Sequence, residues 1–78
     1  MITEKKAYDI AVDEISKDFP KERIKTMYDI GKKYMFIFEK FEILVLVNKD
    51  DGESTRMHVL TAMLEYPNIE EYPRIDFR

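Results

Sequence analysis

The chain has 78 residues, enough for one small domain spanning residues 1–78. With 16 acidic and 13 basic side chains its net charge is -3, the wrong sign for non-specific nucleic-acid binding. It has no cysteine, which excludes disulfides, zinc–thiolate sites and thiol catalysis. The hydrophobic share of 45% supplies a core, although without disulfides so small a chain must pack efficiently or associate.

Residues 3–18 predict an amphipathic helix. At 100° per residue, Ala7, Tyr8, Ala11, Val12, Ile15 and Phe19 gather on one face, opposite Asp9, Asp13, Ser16 and Lys17. Thr3 suits the N-cap, Glu4 suits the positive end of the helix dipole, and Pro20 forbids continuation.

From Glu22 the apolar period becomes two. Ile24, Thr26, Tyr28 and Ile30 alternate with Arg23, Lys25, Met27 and Asp29, as in a half-buried strand. Asp29-Ile30-Gly31-Lys32 predicts a turn. Next, Tyr34, Phe36 and Phe38 point one way while Met35 and Ile37 point the other. Over residues 42–48, Ile43, Val45 and Val47 oppose Leu44 and Leu46. Asn48-Lys49-Asp50-Asp51-Gly52-Glu53 predicts a hairpin turn, with Thr55, Met57 and Val59 on the returning strand. In the tail, residues 60–65 read as a short helix, and Pro67 and Pro73 break any regular continuation. The order of elements predicts an α+β fold. An N-terminal helix packs on an antiparallel meander sheet of three to four strands, followed by an irregular or short-helical tail.

The central strands carry apolar residues on both faces, and one helix covers only one of them. Met35, Ile37, Leu44 and Leu46 therefore need a second cover or form an exposed patch of the kind that marks interaction sites. Three covers are open. The first is the tail itself, through Leu60, Met63, Leu64, Tyr66, Ile69, Tyr72, Ile75 and Phe77. The second is another copy, giving a homodimer, and the third is a foreign protein. The tail also interleaves Glu65, Glu70, Glu71 and Asp76 with aromatic residues, which reads as a solvated loop rim or, more sharply, as a recognition surface. The candidate interaction surface is thus Met35, Ile37, Leu44, Leu46, Tyr66, Glu70, Glu71 and Tyr72.

Signals for chemistry are sparse. His58 is the sole histidine, and no constellation of nucleophile and orienting group surrounds it. Asp50, Asp51 and Glu53 resemble a cation loop only superficially, since Lys49 and Arg56 interrupt them and no closing Glu follows. No cofactor, metal or catalytic residue is expected, and an enzyme is the last of the readings. The start lacks a signal-like apolar run and Ile43–Val47 is too short to span a bilayer, so a cytoplasmic protein with no membrane or nucleic-acid partner is expected.

Ala7-Tyr8-Asp9-Ile10-Ala11, Tyr34-Met35-Phe36-Ile37-Phe38 and Val45 through Glu53 together resemble a PepSY-type domain. The same order is similar to small bacterial immunity proteins with a Val-x-Lys-x-x-Gly-like turn. The resemblance covers residues 7–59 and implies a binding or inhibitory domain, in the PepSY case extracytoplasmic and often paired. It transfers no catalytic residue. The leading expectation is a non-enzymatic protein-interaction module, of immunity or inhibitor type. A structural or accessory homodimer is the alternative.

Overall fold

The computed structural model describes residues 1–40 and 42–76. Its first element, α1 (Glu4–Ser16), begins where the sequence provides a cap: the Thr3 hydroxyl accepts from the Lys6 amide at 3.1 Å. Ala7, Ala11 and Ile15 recur every fourth residue and are buried. The two alanines let the helix lie close against the sheet, and Tyr8, Ile10 and Phe19 pack around them. Val12, expected on this face, sits at its margin and is exposed. The helix ends at Ser16, before the expected boundary, and the Phe19 amide closes the end on the Ile15 carbonyl at 2.8 Å.

Strands β1 (Ile24–Asp29), β2 (Lys33–Phe38), β3 (Ile43–Asn48) and β4 (Ser54–His58) form an antiparallel meander. Positive-φ glycines make two of its turns. At Gly31 (φ 98°) the Asp29 carboxylate accepts from the glycine amide. At Gly52 (φ 76°) a side chain would be both strained and crowded, since its Cβ would stand 3.1 Å from the Ile10 methyl. In that turn Asn48 and Asp51 side chains accept from the Asp50 and Glu53 amides.

The expected alternation in β1 fails at one point. Ile24 pairs with Phe38 but Thr26 pairs with Ile37, so Lys25 is the extra residue of a bulge. The bulge moves Ile24 onto the same face as Met27, which is buried against α1, while Tyr28 and Ile30 face the other way.

The tail is more regular than its prolines predict. Helix α2 (Val59–Glu65) takes over at Val59, which the sequence had placed on the returning strand. A 3-10 turn (Ile69–Glu71) and a two-residue strand β5 (Arg74–Ile75) follow. Strand β5 pairs with β1 at Met27 and Tyr28, directly after Pro73, whose carbonyl accepts from the Asp29 amide at 2.8 Å. Proline is tolerated there because the strand is an edge. The result is an α+β fold with a five-stranded sheet ordered β4-β3-β2-β1-β5. No described helix is long and apolar enough to cross a membrane.

Two cores result, one on each side of the β2–β3 hairpin. Toward α1 lie Met27, Tyr34, Phe36, Phe38, Val45 and Val47. On the opposite side Met35, Leu44 and Leu46 are at most 2% exposed, beneath Ala62 and the partly buried Val59, Tyr66 and Ile69. The chain's own tail thus covers the second face. Met35, Leu44 and Leu46 belong to the core and offer no surface to a partner, and Ile37 is half-buried at the same core's margin. Phe77, counted with the covering residues, lies outside the described residues.

Lys49 ties two turns together. Its ammonium lies 2.6 Å from the Asp29 carboxylate and 4.7 Å from the Tyr34 ring centroid. The hydrogen bond from Lys49 holds the Asp29 carboxyl below its ordinary value, against a smaller opposing effect of burial. Because the folded value is the lower one, this contribution is complete above pH about 3.9 and is lost as the pH falls through the folded value. Asp29→Asn should therefore cost up to about 1 kcal/mol at neutral pH. In urea titrations the gap to the parent protein should close as the pH drops below about 4, and a constant gap would contradict the pairing.

The covered second face yields a further expectation. Truncation after Val59 uncovers Met35, Leu44 and Leu46 and should abolish cooperative unfolding at ordinary temperature, since burying each such side chain provides about 1.5–3 kcal/mol. An unchanged urea midpoint would show that the tail is not part of the core.

Candidate interaction surface

His58 ends β4 and caps α2. Its Nδ1 accepts from the Leu60 amide at 3.1 Å, and its Nε2 lies 3.4 Å from a Glu42 carboxylate oxygen. The Nδ1 that accepts from Leu60 carries no proton itself, and the Glu42 carboxylate stands close to the other ring nitrogen. The ring is thereby tied to the start of α2 through Nδ1. Ser54 and Thr55 pair with Val47 and Leu46, toward the other end of β4.

Arg56 explains the polar sequence of β4. Its guanidinium donates to the Glu14 carbonyl at 2.9 Å and lies 2.7 Å from Asp18 and 3.3 Å from the Glu14 carboxylate. It therefore joins the edge strand to the C-terminal end of α1, where a cation also complements the helix dipole. The Asp18 hydrogen bond, aided by both carboxylate charges, raises the already high Arg56 value further against partial desolvation.

A 490 Å³ cleft follows the β1–β5 edge, lined by Lys25, Thr26, Arg74, Ile75 and Asp76. The lining is polar and mixed in charge, with no convergent donor set.

The outer surface of the tail differs in character. Helix α2 turns Val59, Ala62 and Tyr66 inward, at spacings of three and four residues. The next flank of the same helix carries Leu60, Met63 and Leu64, which are 64%, 59% and 83% exposed. A 440 Å³ groove between α2 and the 3-10 turn is lined by Met63, Tyr66, Pro67, Asn68, Ile69, Glu70 and Glu71. From Met57 to Pro73 the chain contains no Lys or Arg but has Glu65, Glu70 and Glu71, which form no ion pair among the described residues.

Of the residues expected at an interaction surface, Tyr66, Glu70 and Glu71 converge on this groove. Tyr72 is half-buried beside them in sequence, whereas Met35, Leu44 and Leu46 lie underneath. Leu60, Met63 and Leu64, counted among the tail residues available to cover the sheet, face solvent. Their outward position is readable from periodicity once Val59 is placed inside the helix. Comparison with known protein families, with curated proteins and with solved structures finds no match to this chain.

The His58 cap is testable by itself. His58→Ala should lower stability by about 1 kcal/mol, and His58→Asn, which restores a capping acceptor, should recover most of it. Equal thermal midpoints for both variants and the parent would show that the Leu60 amide needs no cap.

Proposed function

We propose that this chain is a non-enzymatic protein-binding module that acts through the outer surface of α2 and the 3-10 turn. The observation that carries the reading is the joint exposure of Leu60, Met63 and Leu64 on one flank of a helix whose other flank is committed to the core. Large apolar side chains grouped at a surface, rimmed by polar groups, are characteristic of interaction sites. The groove beside Met63 adds concavity, and Glu70 and Glu71 add charge at its edge. The occupation of His58 by the α2 cap also supports a binding role over a catalytic one. Within binding functions, the resemblance to immunity and PepSY-type domains favours an inhibitory or neutralising role.

A photo-cross-linking residue at Thr61, exposed beside the patch, tests this in cells that produce the protein. A specific foreign protein should be trapped, and Leu64→Asp should reduce its yield at least tenfold while the thermal midpoint stays unchanged, since Leu64 is 83% exposed. Trapping that Leu64→Asp does not alter, or products made only of this chain's own copies, would overturn the reading.

A further inference from the structure

We infer that the partner presents a cationic amphipathic helix to the α2 surface. This rests on the proposed binding role of that surface and specifies its occupant. The patch is apolar at Leu60, Met63 and Leu64, and its neighbourhood is acidic without a single compensating cation from Met57 to Pro73. Charge therefore discriminates among occupants. A second copy packed through the same patch would set Glu65, Glu70 and Glu71 against their own counterparts, since a two-fold interface pairs a surface with itself. An anionic lipid surface or a nucleic acid would meet the same repulsion. A segment carrying Lys and Arg beside apolar residues matches both features at once.

The backbone of the surface decides between a helix and an extended strand. Strand addition needs free main-chain groups, and here they are engaged locally. The Tyr66 amide donates to Ala62, the Glu71 amide to Asn68 and the Tyr72 amide to Ile69. What the surface offers is side chains at spacings of three and four residues, the pattern into which a second helix seats its own ridge. Helix α2 is about 10 Å long, so the contact covers roughly two turns of the incoming helix. In that arrangement the partner's apolar residues contact Leu60, Met63 and Leu64. Its cations reach Glu70 and Glu71 across the groove that Met63 shares with them.

The probe is a synthetic amphipathic helix of Leu and Lys, compared with a Leu–Glu helix of identical pattern. Both are titrated into the full chain labelled at Leu and Met methyl groups for NMR. The Leu–Lys helix should shift the Leu60, Met63 and Leu64 signals in preference to those of the buried Leu44 and Leu46. Glu70→Gln with Glu71→Gln should weaken its binding about tenfold and flatten its salt dependence, whereas Glu4→Gln with Asp13→Asn on α1 should leave it unchanged. Equal binding of the Leu–Glu helix, or equal weakening by the α1 pair, would overturn the cationic assignment. Shifts confined to residues outside α2 would overturn the helix-docking mode. The cross-linking test reports on the surface and this one on the occupant, so the two failures are distinguishable.

Discussion

The fold depends on a hairpin that is apolar on both sides. Strands β2 and β3 bury Phe36, Val45 and Val47 toward α1 and Met35, Leu44 and Leu46 away from it, all at most 2% exposed. An antiparallel sheet with one packed face requires alternation, and these strands have none, so they must be covered twice. Helix α1 provides one cover through a ladder of small residues. The other comes from the last quarter of the chain, which crosses back as α2 and the 3-10 turn before returning to the sheet edge as β5. In a domain this small neither cover is dispensable, because the apolar area buried barely exceeds the conformational entropy it must offset.

That division of labour was partly legible in the sequence. The α1 cap at Thr3, the inward residues Ala7, Ala11 and Ile15, and the opposed sets on β2 and β3 follow from periodicity and capping chemistry alone. The bulge at Lys25 was not legible, since a single inserted residue leaves no compositional mark and only moves Ile24 from the face of Tyr28 to that of Met27. Strand β5 was hidden for a different reason. Two residues after a proline carry no periodic signal, and their pairing is fixed by β1 rather than by local preference. The tail's burial pattern turned on whether Val59 ends a strand or begins a helix, and the Leu60 amide bond to His58 resolves it in favour of the helix.

The same choice links the fold to the surface. Once α2 begins at Val59, Ala62 and Tyr66 fall inward and Leu60 and Leu64 are forced outward by the helical repeat. The segment that closes the core therefore also displays apolar side chains beside a groove edged by Glu70 and Glu71. Local stability and the proposed binding surface are coupled through this helix, with His58 capping its start and Tyr66 packing at its end. Perturbations of the inward residues Val59 and Ala62 affect both properties, whereas changes at the exposed Leu64 or Glu70 address the surface alone.

Each chain covers its own second sheet face. Methyl NOEs in an equimolar mixture of differently labelled chains test it directly. Contacts should appear between the Ala62 methyl and methyl groups of Met35, Leu44 or Leu46 within one chain. Contacts seen only between differently labelled chains, or none between Ala62 and these residues, would contradict it.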